Sequence, residues 1–169
     1  MRLTSAAQSK LFRTDLTSDA AALSQAFSEL VRVIQFRDRD RACCYGLTVS
    51  QCYGLKAVCE AGFLGVNDLA AALYLEKSTA SRLAAGLQAA GLVERSADPE
   101  DGRSVRLSAT AAGKQAYEAI EQDLLQEHTD LLAGFDPEVR SAVTQVVGRL
   151  TRAMASRVEV DGGSCCVVR

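Results

Sequence analysis

The sequence predicts a mainly α fold carrying a small β-ribbon, and three observations predict it. Apolar residues recur at helical spacing over most of the 169-residue chain. Helix stop and start signals, Gly62, Gly91 and the Asp136–Pro137 pair, divide that pattern into segments. LVERS and SVRLS instead read as two β segments joined by an Asp98–Arg103 turn in which Pro99 and Gly102 supply the turn chemistry.

Residues 1–15 are polar and irregular and are expected to form a flexible arm. Thr17 or Ser18 can cap a helix running to about Arg37, whose stripe is Leu23, Phe27, Leu30, Val31 and Ile34. FRDRDRA gives it a charged, solvated end, and CCYG is a connector. Thr48 with Gln51 forms a capping box for a second helix, TVSQCYGLKAVCEAG, stopped by Gly62. Asn67 caps a short third helix, DLAAALYL, and Ser78 opens a fourth that ends at Gly91. Two short helices with a tight connector make a helix-turn-helix. After the ribbon, Thr110 starts a long helix to about Leu132 with Tyr117, Ile120, Leu124 and Leu131 on one face. Asp136 and Pro137 start another, to about Ser156, striped by Val139, Val143, Val146, Val147, Leu150 and Met154. The tail VEVDGGSCCVVR is Gly-bearing, and no internal repeat is present.

The apolar fraction is 48%, enough for a real core, and with no Trp and 5% aromatics that core is built mainly of Leu, Val and Ala. The length fits one domain with helical extensions. Net charge is −2, which does not advertise a nucleic-acid binder, but only charges on a docking face meet phosphates. From Lys77 to Lys114 there are six basic residues (Lys77, Arg82, Arg95, Arg103, Arg106, Lys114) against four acidic ones (Glu94, Asp98, Glu100, Asp101). No apolar run follows the first basic residues as in a signal peptide, and none approaches the ~18 residues of a membrane span, so a cytoplasmic location is expected. In that compartment thiols stay reduced, and six cysteines call for packing, metal binding or redox chemistry rather than a disulfide framework.

The stretch from Lys77 to Gly113 carries the functional signal. The fourth helix places Ser78, Thr79, Ser81 and Arg82 in its first turns while Leu83 and Leu87 point inward. Small hydroxyl side chains let a helix sit deep in a major groove, and Arg82 can reach a guanine edge or a phosphate. In the ribbon turn Asp101 can orient the Arg103 guanidinium, which on a narrow ribbon can enter the minor groove. Read blandly, the same features are a Ser-capped surface helix and a solvated turn.

LEKSTASRLAAGLQAAGLVER, DPEDGRS and the T-x-x-G of Thr110 and Gly113 together resemble the MarR (multiple antibiotic resistance regulator) family, with its D-x-R-S motif at Asp101, Arg103 and Ser104. The resemblance covers roughly residues 16–157. It implies a winged helix-turn-helix with N- and C-terminal dimerisation helices: residues 48–113 as the DNA-binding lobe, 16–40 and 110–157 as dimerisation helices, and 158–169 as a Cys-bearing tail. It further implies an obligate homodimer on a pseudo-palindromic double-stranded operator. The DNA contacts then fall to Ser78, Thr79, Ser81, Arg82, Arg103 and Arg106, with Asp101 supporting.

Relatives commonly bind small aromatic acids or lipophilic compounds in a cleft between dimer helices and reading head, and the thiols are where this chain departs. Cys43, Cys44 and Cys52 fall within ten residues, and three thiolates around one soft ion at ~2.3 Å must lie within about 4 Å of one another. A vicinal pair plus a thiol on the next helix's first turns satisfies that, and the lack of nearby His argues against a mixed zinc site. Cys165 and Cys166 form a second vicinal pair that can join the cluster or hold a separate site. Cys59, seven residues after Cys52, is ~10.5 Å further along its helix and reads as a core thiol beside Leu55 and Val58.

The expectation is a DNA-binding regulator, a repressor released when a thiophilic metal or metalloid such as arsenite binds Cys43, Cys44 and Cys52, with Cys165 and Cys166. No other cofactor is required. Open alternatives are a cysteine redox sensor, in which the helix dipole helps a Cys52 thiolate, a phenol-responsive regulator of the same fold, and a metal-sequestering thiol protein that does not bind DNA. An enzyme is not expected: the single histidine, His128, sits on a polar helix face with no catalytic set around it.

Overall fold

The computed structural model describes the backbone over residues 5–97 and 105–160, and side chains over 16–38, 45–97 and 105–157. The chain divides into two units, Met1–Cys52 and Tyr53–Arg169.

The first unit is dominated by one helix, α1 (Ser5–Cys44). It starts well before the expected Thr17–Ser18 cap and continues through FRDRDRA and the Cys43–Cys44 pair. The reason lies in the sequence: Ser5–Cys44 contains neither Gly nor Pro and is rich in Ala, Leu, Gln and Arg, so nothing stops the helix before Gly46. Residues 5–15 are thus helical rather than an irregular arm, and of CCYG only Tyr45 and Gly46 lie in the connector, Cys43 and Cys44 belonging to α1. Leu23, Leu30, Val31, Val33 and Phe36 of α1 are exposed. The unit ends in the start of α2 (Val49–Ala61), where the capping box forms as read. The Thr48 amide donates to Gln51 Oε1 at 2.8 Å, and the Gln51 amide donates to Thr48 Oγ1 at 3.2 Å.

The second unit takes up the rest of α2 and adds β1 (Phe63–Gly65), α3 (Val66–Ala72), α4 (Lys77–Ala89), β2 (Val93–Ala97), β3 (Val105–Ala109), α5 (Ala111–Leu132) and α6 (Pro137–Val160). The ribbon is a three-stranded antiparallel sheet in the order β1-β3-β2, in which Leu64 lies opposite Leu107 and Arg95 opposite Leu107 on the other side. β1 was not foreseen, because three residues are too few to show a period of two. Asn67 does not cap α3: the helix starts at Val66, and Asp68 reaches back to accept from the Gly65 amide at 3.1 Å.

The core consists of Leu55 and Val58 from α2, Leu64 from β1, Leu69 and Ala70 from α3, Ala80, Ala84 and Leu87 from α4, Val93 from β2, and Leu107 from β3. Each large member contributes about 1.5–3 kcal/mol by leaving water. Gly54 lets α2 approach α4, since a Cβ there would meet Leu83 and Leu87 at 3.0–3.3 Å.

The T-x-x-G motif closes this unit. α4 ends in a Schellman turn, the Leu92 amide donating to the Leu87 carbonyl and the Gly91 amide to that of Gln88, with Gly91 at φ +72°. Thr110 Oγ1 then donates to the Gly91 carbonyl at 2.7 Å and accepts from the Gly113 amide at 3.0 Å, while the Thr110 amide donates to the Leu92 carbonyl. One residue thus caps α5, fixes the end of β3, and satisfies the carbonyl at the end of α4.

Candidate nucleic-acid interface

α3 and α4 are joined by a turn at Leu73–Glu76 in which Tyr74, exposed, adopts φ +53°. α4 has two faces. Ala80, Ala84 and Leu87 are fully buried and Leu83 is half-buried. Lys77, Ser78, Thr79, Arg82 and Ala85 are exposed, and Ser81 is half-buried. The exposed set is of short side chains beside two long cations, Lys77 and Arg82, a shape that a major groove accommodates. Ser78 is not the cap: α4 begins at Lys77, and its flanking residue Glu76 makes no side-chain cap hydrogen bond. The amides of Thr79 and Ala80 bond the Glu76 carbonyl instead, at 2.9 and 3.0 Å.

The wing strands are tied to this helix. Arg95 of β2, exposed, directs a guanidinium nitrogen to the Ser81 carbonyl at 3.5 Å. Arg106 of β3 is half-buried, its guanidinium carbon 4.2 Å from the centre of the Phe63 ring, a cation–π contact joining β3 to β1. Asp101 and Arg103, with the whole turn of residues 98–104, lie outside the described residues. Lys77 and Arg95, which the sequence marked only by their share in the local excess of basic residues, lie at the start of α4 and on β2.

Between β1, the start of α3, the start of α4 and β3 lies an open groove of about 680 Å³. Phe63, Val66, Asp68, Lys77, Val105 and Arg106 are among its lining residues.

The thiols are placed only in part. The backbone of Cys43 and Cys44 forms the last turn of α1, and Cys165 and Cys166 lie outside the described residues. Cys52 is half-buried in α2, and its thiol is pushed above the ordinary range, first by burial and then by the Asp38 carboxylate. The expected help from the helix dipole is therefore outweighed. Cys59 is half-buried rather than a core thiol. Burial raises its pKa, opposed by Lys114 and reinforced by Glu118 and Glu60. Among the described residues no three His, Cys, Asp or Glu side chains gather as a metal site. His128 is exposed.

The MarR family pattern matches residues 45–104. Over 99 residues the sequence is 32% identical to the uncharacterized HTH-type transcriptional regulator YxaD of Bacillus subtilis, covering 59% of this chain and 69% of that protein. The chain belongs to the MarR family. A crystal structure of a MarR family transcription regulator, 29% identical, covers 86% of this chain and 97% of its own with a TM-score of 0.76. A MarR family protein from Bacillus stearothermophilus, 23% identical, shares the fold over 82% of this chain and 96% of its own with a TM-score of 0.74. The protein is a MarR-family transcriptional regulator with a winged helix-turn-helix. Among its described residues no helix is long and apolar enough to cross a membrane.

Proposed function

We propose that this MarR-family protein binds a pseudo-palindromic operator as a homodimer, presenting α4 to the major groove and the β2–β3 wing to the adjacent minor groove, and that it is a repressor released by a thiophilic metal or metalloid such as arsenite. The observation that carries the DNA-reading part is the two-faced character of α4. Ala80, Ala84 and Leu87 anchor it in the core while Ser78, Thr79 and Arg82 face outward with no packing role. Arg82 reads a base edge, Arg103 enters the minor groove with Asp101 orienting it, and Arg106 works at the wing root. The dimer reading is supported by the exposed apolar residues on α1, α5 and α6.

The effector reading rests on thiol chemistry. Cys43 and Cys44 end α1, and Cys52 lies just beyond the Tyr45–Thr48 connector, with the tail pair Cys165 and Cys166 as further donors. A thiol held protonated by burial and a neighbouring carboxylate is a poor peroxide nucleophile, because the thiolate is the reactive form. A soft ion displaces that proton as it binds. This favours metal or metalloid over peroxide. To empty the operator, the effector must prefer the released conformation by several kcal/mol, which bonds to several thiolates supply.

The test is selection of a binding site from random duplexes, followed by release from that site by arsenite, antimonite, mercuric, cadmium and zinc ions, peroxide and salicylate. Release by the soft ions, lost on replacing Cys43, Cys44 and Cys52 by Ser while DNA binding persists, is the expected result. Release that survives all three replacements removes the thiol site. Absence of duplex binding at low salt removes the regulator mechanism and leaves metal sequestration.

A further inference from the structure

α2 is held by two neighbours that meet it on opposite sides. At Gly54 it lies so close to α4 that a Cβ would meet Leu83 and Leu87 at 3.0–3.3 Å, and the adjoining Leu55 and Val58 are fully buried. Lys56 follows two residues later, about 200° round the helix, and there its Nζ donates to Glu121 Oε1 of α5 at 2.8 Å. The close packing at Gly54 leaves α2 no room to slide against α4, so a displacement at Lys56 is passed to the reading helix as a rigid-body movement. A second carboxylate, Glu60 at 3.5 Å, belongs to α2 itself. Lys56 thus has one acceptor that ties α2 to α5 and one that does not.

α5 is also tied at its start, where Thr110 Oγ1 donates to the Gly91 carbonyl and Gly113 packs on the Leu92 carbonyl. Glu121 lies about three turns, roughly 16 Å, along α5 from that joint. One attachment lets a helix swing, and a second at that distance fixes its angle. Lengthening the Lys56–Glu121 bridge by about 2 Å turns α5 by about 7° against the α2–α4 block. We propose that Lys56 is a positioning residue for DNA binding: its bond to Glu121 sets the angle of the α2–α4 block on α5, and through it the half-site separation that two copies of the chain span. The angle enters once per copy, so any change in it is doubled across a two-fold axis. Lys56 acts through α2 and α4 and touches no base or phosphate itself.

This rests on the two-headed DNA reading above, and the experiment separates the two. The duplex that selection yields is remade with its half-sites one base pair closer and one base pair farther apart, and a single half-site serves as reference. Affinities of the full chain are read by fluorescence anisotropy, and the wild type is expected to prefer the selected separation. Lys56→Met and Glu121→Gln are each expected to cut that preference by about two- to fivefold, the range of a partly exposed ion pair, with half-site affinity unchanged. Lys56→Glu combined with Glu121→Lys, which restores opposite charges across the joint, is expected to recover the preference. Glu60→Gln, which removes the alternative acceptor, is expected to sharpen it. The Lys56 and Glu121 side chains are 38% and 34% exposed, so these replacements leave the core intact. A preference unchanged in both single variants, or affinity lost equally on every duplex, overturns the positioning role while leaving the regulator reading in place. A wild type indifferent to separation overturns the two-headed reading, and one that binds no duplex at low salt overturns DNA reading as well.

Discussion

A methyl group on Gly113 would drive its carbon into the Leu92 carbonyl oxygen, which is itself held by the Thr110 amide. Neither side of that clash is a flexible side chain that could swing away. Gly113→Ala is therefore expected to destabilise the fold by about 3 kcal/mol or more in denaturant unfolding. Gly134→Ala, where nothing lies within 4 Å, is the control and should change little. Thr110→Ala leaves the Gly113 amide and the Gly91 carbonyl without the hydroxyl and should cost about 1–2 kcal/mol. Cys52 poses a different residue-scale question, because its thiol is raised by burial and by Asp38. Alkylation of Cys52 by iodoacetamide should accelerate only above the pH at which a free cysteine reacts, and Asp38→Asn should move the profile back down. A Cys52 that reacts fastest near neutrality would revive the peroxide-sensing alternative.

At the scale of the element, the proposal that α4 reads the operator makes Arg82 the residue to test. Arg82→Ala should erase about 1–3 kcal/mol of discrimination at one operator position, measured as the affinity ratio between the selected site and a single base-pair change. Loss of affinity without loss of that ratio would make Arg82 a phosphate contact. The joint between α2 and α5 is electrostatic: Lys56 Nζ donates to Glu121 Oε1 at 2.8 Å and lies 3.5 Å from Glu60. Its pKa is raised, first by the Glu121 hydrogen bond, so its stabilisation is complete below the ordinary lysine range and is lost as pH climbs through the raised value. With the side chain 38% exposed, the effect should stay under about 1 kcal/mol, and Lys56→Met should flatten that alkaline decline. The elements that sequence reading placed well are those with a local chemical stop or start, as at Thr48–Gln51, Thr110 and Asp136–Pro137. The charge run FRDRDRA looks like a helix end but is not one, because helices end where backbone chemistry changes, here at Gly46. β1 and the groove were invisible because both exist only through pairing with β3, more than forty residues away in sequence.

At the scale of the whole molecule, a single chain leaves apolar surface uncovered. No described residue of α6 is buried, yet Val139, Val143, Val147 and Met154 recur along one side at helical spacing and are 42–54% exposed. A stripe of that kind on a lone chain fits an interface, and the proposed two-fold operator would bring a second copy to supply it. Val143→Glu with Val147→Glu should place two carboxylates in that apolar seam. The expected outcome is a monomer by sedimentation, or a dimer only at high concentration, with a melting temperature that no longer rises with protein concentration. Operator affinity should fall far more than affinity for an isolated half-site. Two linked heads gain from effective concentration, whereas a single head has only its own contacts. If the double variant remains a dimer with unchanged operator affinity, α6 is not the seam, and the exposed apolar face of α1 becomes the surface to alter next.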